Sequence, residues 1–197
     1  GSPGKQGSAE AHGAPLGREE VCRTKVCLGC PPDVEFCVPP EVRTTFGACV
    51  ERGRAAEDRW RQRLEAFRQA HPELARQWQA EQDGEAPAGW DAVLPVFAPG
   101  EKPQATRAAS GRVLNAVASA LPNLLGGSAD LAPSNNTKLD GTPAFQKATP
   151  EGRNFHFGVR EHAMGAALNG MAVFGGLIPY GGTFLVFSDY NRPAIRV

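Results

Sequence analysis

The sequence predicts an α/β fold in which a parallel sheet is flanked by helices, and two observations predict it. In the second half of the chain, short apolar runs alternate with longer helical stretches. The helical stretch after residue 160 is rich in alanine and glycine, which leaves room for close packing. Such alternation is typical of parallel sheets, because each crossover between parallel strands needs a connecting helix. The pattern is still running at residue 197, so we expect the last domain to be incomplete.

The first 83 residues predict helices. A glycine-rich start leads into a short helical stretch that ends near Leu28. Between residues 41 and 70, charged residues separate apolar ones that recur at three- or four-residue steps or their multiples: Phe46, Val50, Trp60, Leu64 and Phe67. This spacing predicts one amphipathic helix or a pair of helices. Pro72 then begins a second short helix, because proline is tolerated in the first helical turn.

The remainder of the chain predicts a linker followed by alternating elements. Residues 82–106 are rich in proline and glycine and have little periodicity, which is typical of a linker. The elements expected after it are a helix that Pro122 ends, a strand at 124–125 that turns at 126–127, a strand over 155–159, a helix over 161–174, a strand from Leu177, a turn at 180–182 and a last helix from about Thr183.

Charge and hydropathy exclude several classes of protein. The chain has 21 basic and 21 acidic side chains, so nothing favours a nucleic acid or an anionic membrane as partner. No apolar run approaches the roughly 20 residues that cross a bilayer. The polar, glycine-rich N-terminus does not resemble a signal peptide. We therefore expect a soluble, cytoplasmic protein.

The five cysteines predict free thiols rather than a metal centre. Cys22, Cys27 and Cys30 have a C-x4-C-x2-C spacing that resembles part of a ferredoxin cluster site. Cys22 and Cys27 fall in a helical stretch, however, without the small-residue loop that surrounds such a cluster. An odd number of cysteines without a secretory signal also disfavours a disulfide framework. We expect no metal ligands in this chain.

Three further segments could carry chemistry. Residues 126–136 follow an apolar strand and offer the Asp130 carboxylate, hydroxyl groups and backbone N–H groups. Ligands bind beyond the carboxyl ends of strands in open α/β sheets, yet a simple turn capped by Asp130 fits the spacing equally well. Glu161 begins a helix directly after a strand, so it is either a helix cap or a ligand contact. Three aromatic residues at i, i+3 and i+6 form either a core stripe or the wall of a site for a flat ring: Phe184, Phe187 and Tyr190.

In this order, several segments resemble transketolases over essentially the whole chain. The string Gly-Gly-Ser-Ala-Asp-Leu-x-Pro-Ser-Asn, which starts at Gly126, is the most specific of them. Other thiamine-diphosphate enzymes share the glutamate that Glu161 matches, but they do not share this loop. The other matching segments are 1–3, 12–16, 71–74, 105–107, 157–164 and 179–184.

The resemblance implies a thiamine-diphosphate-binding fold that is incomplete at both ends. It implies the end of a diphosphate-binding domain at residues 1–83, a linker at 84–106 and the first half of a pyrimidine-binding domain at 107–197. The implied activity is the transfer of a two-carbon ketol unit from a ketose phosphate to an aldose phosphate, in the pentose phosphate pathway. The divalent cation, Mg²⁺ or Ca²⁺, would be bound by a Gly-Asp-Gly…Asn motif that this chain lacks.

The resemblance also implies a role for individual residues. Glu161 matches the glutamate that contacts the cofactor's aminopyrimidine, and His12, in a glycine-rich loop, matches a histidine with a role in proton transfer and substrate binding. Arg107 and Ser134 match ligands of the substrate phosphate. The residues that match cofactor contacts are Asp130, Leu131, Phe184, Phe187 and Tyr190.

The implied partners are sugar phosphates and a second copy of the protein, with the active site between two subunits, so we expect the chain alone to be inactive. Two alternatives stay open. A dihydroxyacetone synthase would perform the same chemistry on formaldehyde, although the phosphate ligands Arg107 and Ser134 disfavour it. A non-catalytic interaction protein could retain the fold, although the joint presence of Glu161, the aromatic residues and His12 disfavours that.

Overall fold

A computed structural model describes residues 1–197 of the chain. The chain divides into two compact units, Gly1–Ala66 and Phe67–Val197. The helices are α1 (Glu10–Gly13), α2 (Arg18–Cys27), α3 (Pro40–Ala70), α4 (Pro72–Gln82), α5 (Thr106–Ala120), α6 (Ala132–Asn135), α7 (Glu161–Phe174) and α8 (Ser188–Arg196), and the strands are β1 (Leu124–Ser128), β2 (Asn154–His156) and β3 (Ile178–Gly182). None of the helices is both long and apolar enough to cross a membrane.

The first unit is helical, and its N-terminal residues are tied to α2. The Glu20 carboxylate accepts hydrogen bonds from the Ser2 hydroxyl and from the Gly4 amide, the latter over 2.6 Å. Both bonds favour the charged carboxylate and lower the pKa of Glu20. The glycine-rich start of the chain is therefore an ordered turn packed against α2.

The amphipathic stretch that begins at residue 41 forms one continuous helix, α3, rather than a pair. Pairs of opposite charge along its exposed surface include Arg61 with Glu57, at 2.6 Å. Helix α3 ends at Ala70 because a residue before proline disfavours the helical conformation, and His71 precedes Pro72. Pro72 occupies the first turn of α4, as the sequence predicts.

The second unit is built on a three-stranded parallel sheet in the order β2-β1-β3. Helix α5 leads into the central strand, α7 connects β2 to β3, and α8 follows β3. The predicted α/β class with a parallel sheet and flanking helices is therefore confirmed. Helix α7 occupies residues 161–174, as predicted, and Gly175 ends it with a φ of 86°.

Two glycine pairs that the sequence suggested as turns lie within strands instead. Gly126 and Gly127 belong to β1, and the segment 180–182 belongs to β3. A side chain at Gly126 would overlap the Tyr180 carbonyl oxygen, and one at Gly127 would overlap that of Phe155. These glycines allow neighbouring strands to approach closely, a requirement that comes from tertiary structure. Strand β2 is also shorter than the predicted 155–159 and ends at His156.

The core of this unit lies between α5 and the sheet and contains Ala118, Leu121, Leu124 and Leu139. The buried Asn154 side chain joins β2 to the segment before it. Its amide donates to the carbonyl oxygens of Leu139 and Thr142, at 2.8 and 2.9 Å, and its oxygen accepts from the Leu139 amide at 2.8 Å. The long loop between α6 and β2 is therefore held against the sheet.

Candidate active site

The three parallel strands end together at one edge of the sheet. Ser128, the last residue of β1, is paired in register with His156 of β2 and with Gly182 of β3. The segments that leave these strand ends contain Asp130, Glu161 and Thr183. Carboxyl strand ends of this kind are where open α/β sheets bind ligands.

A cavity of about 450 Å³ opens at this edge. It brings together residues that are up to 61 positions apart, which no local pattern in the sequence could join. The lining consists of Ala129, Asp130, Leu131, Val159, Glu161, Phe187 and Tyr190. Five of the predicted catalytic and cofactor-contacting residues therefore share one cavity, which is mainly apolar apart from two carboxylates.

Glu161 is the buried acid of this cavity. It is the first residue of α7 and is 7% exposed. The one hydrogen bond of its carboxylate comes from Thr183, whose Oγ1 lies 3.5 Å from Oε1. The carboxylate accepts no hydrogen bond from the first turn of α7, as a helix cap would. A buried carboxylate with a single long hydrogen bond is costly unless a ligand supplies a donor.

The aromatic residues form a row beside this carboxylate. The Phe184 and Phe187 rings are stacked with centroids 6.1 Å apart, and Tyr190 follows Phe187 at 6.2 Å. Phe187 ends a short 3-10 helix, and Tyr190 lies in α8, so the three do not share one regular helix. Phe184 and Tyr190 are exposed, at 39% and 65%. The row is therefore an exposed aromatic surface rather than a core stripe.

A second cavity, of about 680 Å³, lies beside Phe184. Arg107, at the start of α5, and Ser134, in α6, both line it and are both exposed. Thr183 and Phe184 also line this cavity, whereas Phe187 and Tyr190 line the first. The end of β3 and the segment after it thus border both cavities.

His12 belongs to the first unit, where it is an exposed residue of α1. The sequence suggested a glycine-rich loop here, but residues 10–13 form one helical turn. The role of His12 remains a prediction.

The donor groups for a metal are sparse. No three histidine, cysteine, aspartate or glutamate side chains are grouped so as to hold a metal ion, and the five cysteines are free. Cys22 lies in α2 and is half-buried, and the other four cysteines are exposed.

Sequence reasoning missed Thr183, Ala129 and Val159 as members of the site. Thr183 could have been found, because a hydroxyl directly after a strand end is well located to contact a ligand. Val159 and Ala129 give no such signal, because apolar residues beside a strand end are indistinguishable from core residues.

Two family models match the chain in sequence. The model for the transketolase thiamine diphosphate binding domain matches residues 1–87, and that for the transketolase pyrimidine binding domain matches residues 102–197. The transketolase of Geobacillus stearothermophilus is 53% identical over 100% of this chain, and chloroplastic transketolase-1 of Arabidopsis thaliana is 46% identical over 100% of it. The chain spans only 30% and 27% of the lengths of these two relatives.

Solved structures give the same result. The structure of a Pichia stipitis transketolase in complex with sedoheptulose 7-phosphate matches 94% of this chain with a TM-score of 0.79 and 41% identity. The transketolase of Leishmania mexicana matches 98% of it with a TM-score of 0.80 and 40% identity. This chain covers 28% of each of those chains.

Proposed function

The chain belongs to the transketolase family, and we propose on that premise that the protein containing it transfers a two-carbon ketol unit from a ketose phosphate to an aldose phosphate with thiamine diphosphate. The observation that carries the proposal is the Glu161 carboxylate, buried at a strand end with one long hydrogen bond, beside a row of aromatic rings. The chain covers about 30% of its relatives, so the activity belongs to the whole protein.

The residues of the first cavity suit the aminopyrimidine ring of this cofactor. A flat heterocycle fits beside the Phe187 and Tyr190 rings. Its ring nitrogen can share a proton with the Glu161 carboxylate, which is otherwise short of a hydrogen-bond donor. Leu131 and Val159 give the cavity apolar walls, and Asp130 lines it beside Leu131. When bound, thiamine diphosphate supplies the nucleophilic carbon and the electron sink for breaking a carbon–carbon bond next to a carbonyl.

In this proposal Glu161 holds a proton at the pyrimidine nitrogen, and Thr183 orients the carboxylate for it. The apolar lining excludes water, which strengthens the hydrogen bond between Glu161 and the pyrimidine nitrogen. Asp130 and Leu131 contact the cofactor from the loop after β1. Phe184 extends the aromatic row toward the second cavity, so the cofactor and the substrate meet near the end of β3.

The second cavity holds the substrate in this proposal. The Arg107 guanidinium can bind a phosphate through two parallel N–H groups, and the Ser134 hydroxyl can add a further hydrogen bond. His12 moves a proton at the sugar. A cytoplasmic homodimer, with the site between two subunits and a divalent cation held by residues outside this chain, completes the proposed enzyme. The domain limits proposed for it are 1–83, 84–106 and 107–197.

The test is an assay of the product of the complete gene. With thiamine diphosphate and Mg²⁺, it should transfer a ketol unit from a ketose phosphate to an aldose phosphate. The same protein with formaldehyde as acceptor separates a transketolase from a dihydroxyacetone synthase, and the Arg107 and Ser134 pair favours the phosphorylated acceptor. A complete gene product that binds the cofactor but transfers nothing to either acceptor would sink the proposal.

A further inference from the structure

The Ser128 hydroxyl makes three hydrogen bonds to segments that line the two cavities. Ser128 ends the central strand β1 and is 2% exposed. Its Oγ donates to the Gly182 carbonyl oxygen at 2.9 Å and accepts from the Leu131 amide and from the Asn135 side-chain amide, each at 3.1 Å. A hydroxyl has one proton to donate and two lone pairs, so all of its bonding capacity is used.

Two of these bonds hold the loop after β1. The bond to the Leu131 amide fixes the turn that contains Asp130, whose φ of 62° lies in the left-handed region. Asp130 and Leu131 form one wall of the first cavity. The bond from Asn135 fixes the far end of the same loop, where Ser134 and Asn135 line the second cavity. Asn135 is itself held, because its oxygen accepts from the Thr137 hydroxyl at 2.9 Å.

The third bond reaches the neighbouring strand. Gly182 is the last residue of β3, and Thr183 follows it, with Oγ1 3.5 Å from Glu161 Oε1. Phe184, the first ring of the aromatic row, comes next. Ser128 therefore connects the loop with Asp130 and Leu131 to the strand end that leads to Thr183 and Phe184.

We infer that Ser128 is a positioning residue. Through these three hydrogen bonds it holds the walls of the cofactor cavity and of the substrate cavity at fixed positions relative to each other. The inference rests on the proposed function, since it concerns how that site is held. Ser128 lines neither cavity, so it acts through the residues it binds. Loss of its hydroxyl leaves the Leu131 and Asn135 donors without their acceptor and frees both walls together.

The prediction is a coupled loss of affinity. Without the Ser128 hydroxyl, the dissociation constant of thiamine diphosphate and the KM of the sugar phosphate should both rise, each by about tenfold or more. A merely structural role would lower the active fraction, and with it kcat, at unchanged KM and unchanged dissociation constant. A positioning role therefore changes KM and the dissociation constant, whereas a merely structural role changes kcat.

The experiment compares Ser128→Thr with Ser128→Val in the complete gene product. The two side chains have nearly the same shape and differ in the hydroxyl, so any steric cost of the extra carbon is common to both. Ser128→Ala removes the hydroxyl without adding volume and decides the matter if the larger variants do not fold. Ser119→Ala is the matched control, because the Ser119 hydroxyl donates only to the Ala116 carbonyl oxygen within α5. Calorimetry gives the dissociation constant of thiamine diphosphate, and steady-state kinetics gives the KM of the ketose phosphate.

The inference predicts that Ser128→Thr and Ser119→Ala stay near the wild type, whereas Ser128→Val and Ser128→Ala lose both affinities. Equal values for the Thr and Val variants, wild-type values for the Ala variant, or a change confined to the melting temperature would each overturn it. A wild-type protein that binds thiamine diphosphate but transfers no ketol unit refutes the proposed function, and the calorimetry then still tests Ser128.

Discussion

Three polar side chains are buried in this protein, and they differ in how well they are satisfied. Asn154 makes three hydrogen bonds of 2.8 to 2.9 Å to backbone groups, which is what a purely structural residue needs. Ser128 also uses its full bonding capacity. Glu161, the only one with a carboxyl group, has a single bond of 3.5 Å. Since a buried polar group with so few hydrogen bonds costs stability, Glu161 is the residue that points to a ligand.

Tyr180 gives a prediction at the scale of one residue. Its hydroxyl donates to the Thr137 carbonyl oxygen at 2.7 Å, and burial raises its pKa to about 12, against an opposing effect of Arg153. In the unfolded chain the Tyr180 phenol loses its proton near pH 10. The contribution of the protonated phenol to the free energy of unfolding is therefore complete below about pH 10 and is lost as the pH rises toward 12. After allowance for partial exposure, the loss should be on the order of 1 kcal/mol.

Tyr180→Phe removes the titrating group while it keeps the ring. The difference in unfolding free energy between the wild type and this variant, from urea denaturation of the complete gene product, should shrink as the pH rises above about 10. A difference that stays constant from pH 9 to pH 12 contradicts the account of Tyr180.

At the scale of elements, helices could be predicted from the sequence and glycine-containing strands could not. Helices α4 and α7 were predictable because a proline, a terminal glycine and helical spacing are local signals. Strands β1 and β3 contain glycine pairs that resemble turns. Side chains at the β1 glycines would overlap carbonyl oxygens of the neighbouring strands, and a side chain at Gly181 of β3 would overlap the Leu168 and Met164 side chains of α7. The site residues were likewise only partly predictable from local patterns. Asp130 and Glu161 were equally consistent with a turn and a cap until the resemblance joined them with the aromatic row.

Gly127 provides the prediction for an element. Gly127→Ala would bring a methyl group into overlap with the Phe155 carbonyl oxygen and push β2 away from β1. We expect a loss of about 2 kcal/mol or more in unfolding free energy. Gly53→Ala is the control, because Gly53 lies inside α3 with nothing within 4 Å of an added methyl group, and alanine should stabilise a helix there slightly. Equal melting temperatures for the two variants would contradict a close approach of β2 to Gly127.

At the scale of the whole molecule, the second unit exposes much apolar surface. Val173 and Phe174 are 88% and 81% exposed at the end of α7, and Leu185 and Val186 are exposed after β3. The sheet has only three strands, so the outer strand β3 presents an unpaired edge, whereas the segment 143–145 partly covers β2. Exposed apolar surface of this kind is a docking or aggregation surface. It agrees with the proposal that the active enzyme needs more than the part of the family's length that this chain covers.

This surface gives a prediction for the chain by itself. The isolated 197-residue chain should bind a hydrophobic dye such as ANS strongly and transfer no ketol unit. The complete gene product should bind the dye weakly at equal molar concentration. An isolated chain that is monomeric and silent toward the dye would show that these apolar residues need no cover.

The central claim is that the Glu161 carboxylate acts on the cofactor, and substitution of that one side chain tests it most directly. The measurement is kcat for ketol transfer by the complete gene product with Glu161→Ala, beside Glu151→Ala, an exposed acid shortly before β2. Calorimetry on each variant gives the amount of thiamine diphosphate bound. The account predicts that Glu161→Ala lowers kcat by about 100-fold or more with cofactor bound, whereas Glu151→Ala stays within about twofold of the wild type. A Glu161→Ala enzyme with near-full activity would contradict it.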